Sequence, residues 1–355
     1  MKKLGKILSF LVMASVLAGT ASCATAGSSA TSASAADSAS AAASTTAAAS
    51  GKKEVYSWCC QYNSLPLFVN NDYIGMDLIA KELNVEVRKV GPQEVDLPAF
   101  QAAIEQEIAK KPDGMMVVGW DASLATGINK AMAAGIPVVT VDADVPDSDR
   151  LCFVGTDWYD LGVEQAKAVA PYLEGKTGTA ICVGLPGADN SVLALNGYTA
   201  TLAKLAPTIT VDQKIYDSGS NAQQVASTVA NAIQGDSTLL AVAGFDSSGG
   251  PGISQAIKEA GKIGKIYGTC VDAEAEHLQG VKDGALVAAV GQKRHFFTYY
   301  GVKMLYDYNH NGIKFTADDK AAGISPIPTR VTTGFIVATP ENVDLLIAAA
   351  AAKAK

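Results

Sequence analysis

From Glu54 to about residue 337 the chain repeats one pattern. A short apolar run is followed by a longer segment with apolar residues every three to four positions. The first pattern is that of a buried strand and the second that of an amphipathic helix. Gly114–Gly119 (GMMVVG) and Pro137–Val141 (PVVTV) are almost unbroken apolar runs, which a strand can bury only when helices cover both of its faces. Phe100, Ile104 and Ile108 fall four apart within 98–110. So do Leu124, Ile128 and Met132, in a helix expected to stop at Gly135. Further helices are expected around Tyr73–Leu83 and over 160–173, 191–205, 221–234, 251–260, 273–283 and 296–308. Further strands are expected over Glu54–Trp58, Val85–Val90, 179–184, 209–216, 239–244, 265–271, 285–290 and 330–337. Alternation of this kind predicts an α/β fold built on parallel sheet. Roughly a dozen strands exceed one doubly wound domain of ordinary size, so two doubly wound parallel-sheet lobes are expected.

The segment ahead of this body has a different character. Lys2, Lys3 and Lys6 precede an apolar run over 7–18, too short for a membrane span and suited to a signal peptide. Gly19-Thr20-Ala21-Ser22-Cys23 then resembles the lipobox of bacterial lipoproteins, with Thr20 where an aliphatic residue is usual. Residues 1–22 read as the signal peptide and Cys23 as the lipidated residue; ordinary secretory cleavage nearby is the competing reading. Residues 24–50 are almost all Ala, Ser, Thr and Gly, with Asp37 the sole charge, and are expected to be a disordered tether. Together these features describe an extracytoplasmic domain anchored to the cell membrane.

Composition narrows the partners. With 28 Lys plus Arg against 35 Asp plus Glu, the net charge of −7 argues against nucleic acid. The three histidines, His277, His295 and His310, are scattered, so neither a histidine metal site nor any other cofactor is expected. Beyond Cys23 there remain Cys59, Cys60, Cys152, Cys182 and Cys270. An odd number without regular spacing is no disulfide framework. Buried thiols are expected, with a vicinal Cys59–Cys60 disulfide as the competing reading.

In open α/β sheets ligands bind beyond the carboxyl ends of the strands. The polar and aromatic residues just after each apolar run are therefore the informative ones: Asn63, Trp120-Asp121, Asp142 and Asp144, Asp189-Asn190, Asp246, Asp272 and Gln292. Carboxylates and amides bond hydroxyls, and aromatic faces stack on sugar C–H faces, so the set suits a polyhydroxylated solute.

At this point the sequence resembles a family. Ala134-Gly-Ile-Pro-Val-Val-Thr-Val-Asp142, followed by Gly155-Thr156-Asp157, and later the runs ending in Asp246, Asp272 and Gln292, are similar to the type I periplasmic binding proteins of ABC importers, in the ribose/galactose/xylose-binding group. The resemblance spans about 53–340. It implies two lobes joined by a multi-crossing hinge, 52–156 with 293–325 and 157–292 with 326–355, after a linker over 23–51. It implies ligand contacts by Asp142, Asp246, Asp272 and Gln292, stacking by Phe68 with Leu67 in the second aromatic's place, and a hinge role for Asp157. It departs at Ala143 and Ala194, where the family often has arginine, so the cleft is expected to be acidic unless Lys293 or Arg294 compensates. Trp120 and Trp158 are candidate stacking surfaces, and Asn63 and Asn190 candidate polar contacts.

Each assignment competes with a plainer one. An Asp at a strand end often caps the next helix, which applies to Asp189, Asn190, Asp246 and Asp272, while Trp120 and Trp158 are equally suited to packing. Gly175-Lys176-Thr177 lacks the glycine a P-loop needs, since position 170 is Ala170. Asp307-x-Asn309-x-Asn311-Gly312, ending at Asp318, loosely imitates a calcium loop and reads better as a polar turn. The function expected is that of a monomeric, lipid-anchored protein that captures a sugar or polyol and delivers it to an ABC permease. Two alternatives stay open: delivery of the signal to a membrane sensor kinase, and a glycan-acting enzyme with Asp246 and Asp272 as paired carboxylates.

Overall fold

The computed structural model describes residues 52–310, 313–319 and 321–353; the signal segment, Cys23 and the linker lie outside them. Lys52–Lys355 forms one compact unit. Its chain begins with β1 (Val55–Cys59), a π turn (Phe68–Asp72), α1 (Tyr73–Leu83), β2 (Glu86–Val90), α2 (Leu97–Lys110), β3 (Gly114–Val118), α3 (Ala125–Ala133), β4 (Val138–Asp142) and β5 (Cys152–Gly155). It then crosses into a second lobe with α4 (Trp158–Leu173), β6 (Gly178–Gly184), α5 (Asp189–Leu205), β7 (Ile209–Asp217), α6 (Ala222–Gly235), β8 (Leu239–Gly244), α7 (Gly249–Glu259), β9 (Tyr267–Val271), α8 (Ala275–Lys282) and β10 (Leu286–Gln292). It returns for α9 (His295–His310) and β11 (Arg330–Thr332), and crosses a third time to β12 (Phe335–Ala338) and α10 (Val343–Lys353).

The two sheets repeat one plan. Their strand orders are β11-β5-β4-β3-β1-β2 and β12-β10-β9-β8-β6-β7. Side chains alternate between faces along each strand. Met116 and Val118 pack with Met76 and Ile79 of α1 and with Phe297, Val302 and Leu305 of α9. Met115 and Val117 pack with Phe100 and Ile104 of α2 and Ile128 of α3. Ala180 and Cys182 face α4 and α5, while Ile181 and Val183 face α6, α7 and α8. Strands covered on both faces explain why the apolar runs are unbroken. The first lobe's core is closed by α9, which follows α4 to β10 of the second lobe in sequence.

The stretch expected as one strand over 330–337 is two strands in different lobes. β11 pairs parallel with β5, and β12 pairs antiparallel with β10. The third crossing therefore lies at Thr333-Gly334, not near residue 326, and 330–332 belong to the first lobe. The direction follows from the crossings. β5 leaves the first lobe towards the second and β10 leaves the second towards the first, so the carboxyl ends of both sheets face each other. β11 leaves the first lobe beside β5, and its continuation must enter the second against β10. The C-terminal Ala-rich run is helical to Lys353 within α10.

Helix ends follow local chemistry. Asp96 accepts from the Ala99 amide and Asp157 from the Asp160 amide, capping α2 and α4. Asp157, read as a hinge residue, thus starts the first helix of the second lobe. Asp307 and Asn309 lie in the last turns of α9. Asp307 pairs with Lys303, and Asn309 donates to the Asp113 carbonyl, so neither is laid out as a calcium-loop ligand.

α4 and α5 approach backbone to backbone. A Cβ on Gly162 would lie 2.0 Å from the Ala194 carbonyl oxygen. The fully buried Ala194 is thus part of a helix crossing, which explains why no arginine stands there. Gly162→Ala is expected to cost about 1–3 kcal/mol through overpacking. Thermal unfolding should show a melting point lower by several degrees; an unchanged melting point would mean that this contact does not hold the lobe.

Candidate functional site

β4 and β9 occupy the same place in the two sheets; Asp142 is the last residue of β4 and Asp272 the first after β9, and each faces the other lobe. Asp142 and Asp272 both have φ near +69°, the left-handed region that Asp tolerates better than most residues. This shared turn aims each carboxylate out of its sheet at the interlobe cleft.

In the first lobe Asp142 Oδ2 accepts from Trp120 Nε1 at 2.8 Å, and Oδ1 accepts from Arg294 Nη1 at 2.6 Å. Arg294 reaches back from the second crossing and is 3% exposed. Its Nε and Nη2 donate to Asp72 at 2.9 and 3.3 Å. Its guanidinium lies 4.9 Å from the Phe68 ring centre and 5.1 Å from that of Phe297. Phe68 is fully buried, wedged edge-on against Trp58 and tilted against Trp120 at 5.4 Å. Trp120, 38% exposed, is thus the aromatic with surface to offer, and Phe68 supports it from beneath.

Two carboxylates share one guanidinium here, and the charge states reflect it. Burial pushes the Asp72 carboxyl up to about 7, with Arg294 opposing the rise and Asp142 adding to it. Burial favours the neutral form of Arg294, but Asp142 and Asp72 outweigh it and hold the proton more tightly than usual. Unfolded, Asp72 titrates near 3.8, so the folded state binds its proton more tightly. The stability this group contributes is full below about pH 4 and is lost as pH rises through about 7. Asp72→Asn, which cannot ionise, should flatten that part of the melting-temperature profile; a melting temperature that falls from pH 4 to 7 as steeply in the variant as in the wild type would contradict the assignment.

In the second lobe Asp272 Oδ1 accepts from Gln292 Nε2 at 2.9 Å and Oδ2 from Ser247 Oγ at 2.5 Å. Gln292 Oε1 accepts from Thr156 Oγ1 at 2.6 Å, which ties the first crossing to the second. Asp246 holds the turn that leads into α7: its Oδ1 accepts from the Ser248 and Gly249 amides, both at 3.1 Å, and from Ser248 Oγ at 2.7 Å, while Oδ2 accepts from Ser218 Oγ. A carboxylate offers about four acceptor positions. Asp142 and Asp272 keep about two each for a ligand, and Asp246 about one. At the cleft margin Asn71 Nδ2 donates to Glu274 Oε1 at 3.1 Å, a hydrogen bond that spans the lobes away from the crossings.

A family model for the periplasmic binding protein domain matches residues 57–312, well over half of the chain. The chain belongs to the periplasmic binding protein family. Among its relatives is the ribose import binding protein RbsB of Bacillus subtilis, 25% identical over 247 residues, which covers 69% of this chain and 78% of RbsB. A sugar-binding protein of a Bacillus halodurans sugar ABC transporter superimposes with a TM-score of 0.74 at 26% identity, covering 82% of this chain and 99% of its own. AraP, an arabinose binding protein from Geobacillus stearothermophilus, gives 0.74 at 25% identity, covering 83% and 99%.

The candidate residues divide by the surface they occupy. Asp142, Trp120, Asp272, Gln292 and Asp246 gather where the two sheets face each other. Asn63 is buried, and its Nδ2 donates at 3.1–3.4 Å to the carbonyls of Cys60, Val90 and Pro92, closing the loop after β1. Asn190 Oδ1 accepts from the next amide, Ser191, in the first turn of α5. Trp158 opens α4 and packs on the second-lobe core, its buried Nε1 without a partner among the described residues. Asp144 is bound by Arg150 through Nη2 at 2.6 Å and adds no free charge. Cys59 and Cys60 are free and buried. Asp72 was missed because it carries no strand-end signal; it sits within FVNND, inside helical periodicity. Arg294 was visible as a compensating charge, but its bridging role needs the return of α9 to the first lobe.

Proposed function

We propose that the protein captures a monosaccharide between its two lobes and delivers it to an ABC permease, with no chemical step of its own. The observation that carries this reading is the pair of matched aspartates, Asp142 and Asp272, on facing strand ends, each with acceptor positions to spare. A ring whose hydroxyls donate to both bridges the lobes and favours the closed form by its contacts to each. Trp120 supplies the stacking face. Arg294 supplies the guanidinium that Ala143 and Ala194 do not. Asp246, committed to the turn that leads into α7, is poorly placed to act as an acid, which weighs against hydrolysis. The relatives named for ribose and arabinose point to pentoses first. Anchoring through a lipid on Cys23, outside the membrane, completes the reading. Among the described residues no helix is long and apolar enough to cross a membrane.

A thermal-shift series with L-arabinose, D-arabinose, D-ribose, D-xylose and D-galactose tests it. A ligand at a thousand times its dissociation constant stabilises by about 4 kcal/mol, a shift of several degrees. No shift with any of these, in folded protein freed of co-purified sugar, would sink the monosaccharide reading.

A further inference from the structure

Behind the second lobe's half of the cleft lies a histidine that the binding reading leaves without a task. His277 of α8 is buried, and its Nε2 lies 2.9 Å from the Ser247 carbonyl oxygen. A carbonyl only accepts, so Nε2 carries the proton and Nδ1 is bare in the neutral ring. Nδ1 has no hydrogen-bond partner among the described residues, so the ring makes its one bond at the expense of a second. Its orientation is fixed by close packing: a Cβ on Gly250 would lie 2.3 Å from His277 Cδ2 and 3.0 Å from Cys270 Sγ.

Ser247 joins this ring to the site. Its backbone carbonyl accepts from His277 Nε2–H, and its Oγ donates to Asp272 Oδ2 at 2.5 Å. The other oxygen of Asp272 is held by Gln292. Ser247 itself is exposed, in the short loop between β8 and α7. Without the ring N–H, nothing else described holds its carbonyl, and its hydroxyl is free to turn from Asp272.

We propose that His277 is a positioning residue for ligand capture: its Nε2–H holds Ser247 so that the Ser247 hydroxyl and the Asp272 carboxylate meet the sugar as one preset pair. The proposal rests on the monosaccharide reading and sharpens it. Side-chain geometry separates this role from packing. A glutamine amide nitrogen reaches about where Nε2 sits, whereas an asparagine reaches only the place of Nδ1. His277→Gln should therefore keep the affinity within about threefold of wild type, while His277→Asn and His277→Leu weaken it at least tenfold.

Affinity is measured by calorimetry with L-arabinose, D-ribose and the other sugars of the thermal-shift series. The wild-type ring is read independently by long-range proton–nitrogen correlation spectroscopy at pH 7, where three histidines in the chain make assignment by the His277→Gln variant direct. A signal for protonated Nε2 and bare Nδ1, with the glutamine variant alone retaining affinity, supports the proposal. A protonated Nδ1, a doubly protonated ring, or leucine tolerated as well as glutamine overturns it. A wild-type protein that binds none of the sugars overturns the monosaccharide reading and the positioning role together. The nitrogen signal then tells this failure apart from absence of the hydrogen bond.

Discussion

Arg294→Leu is expected to destabilise the protein by about 3–5 kcal/mol, the range for removing one partner from a buried ion pair. Arg294 is held by Asp72 and Asp142, both buried. Leucine fills much of the volume but leaves two carboxylates close together in a dry setting. The cost is not the value of the bridge itself; it is the penalty of stranding its partners. Asp72 can escape by taking a proton, since burial already lifts it to about 7. The loss should therefore be smaller at pH 5 than at pH 8. Arg294→Lys restores the charge but not the fork that reaches both carboxylates, and should recover only part of the stability. Urea unfolding of the three proteins at the two pH values provides the measurement. A leucine variant within 1 kcal/mol of wild type at pH 8 would show that the bridge is not what holds the cleft floor together.

Asp142→Asn should weaken sugar binding by a hundredfold or more, about 3 kcal/mol at 1.4 kcal/mol per decade. Both oxygens of Asp142 accept from donors, Arg294 on one side and Trp120 on the other. An amide must turn its NH2 towards one of them, setting donor against donor, and it offers the ligand one acceptor instead of two. Asparagine tolerates the left-handed backbone at this position, so the change isolates side-chain chemistry from backbone strain, which alanine would not. Calorimetry with the sugar that gives the largest thermal shift measures the effect. An affinity within threefold of wild type would remove Asp142 from the contact set.

Much of the fold was legible because its strands are covered on both faces. Runs such as Gly114–Val118 and Val138–Asp142 announce themselves as apolar blocks, and Gly135 closes the helix between them with φ near +81°. The stretch 330–337 was misread because each strand there is short and half-buried, and composition does not say which sheet a strand joins. The site divides in the same way. The strand-end positions of Asp142 and Asp272 were legible because both residues close apolar runs. Asp72 was not, because its role depends on Arg294, more than 200 residues later, and tertiary ion pairs leave no local pattern. The backbone bonds of Asn63 were not legible, since a strand-end amide looks the same whether it meets a ligand or three backbone carbonyls. Phe68 was expected to stack on a ligand, but it is fully buried, with Trp120 tilted against its ring.

The buried thiols carry a practical corollary. Cys59, Cys60, Cys152, Cys182 and Cys270 are all free and buried, and burial raises every one of these thiols well above its ordinary range, Cys152 to about 11. Little thiolate forms at neutral pH, and reagents cannot reach it. In a chain beginning at Lys52, a single cysteine introduced at exposed Val69, two residues before the Asn71–Glu274 contact, becomes the one reactive handle for a maleimide dye. An environment-sensitive fluorophore there would turn lobe closure into an optical signal, making the protein a reagentless sensor for its own ligand.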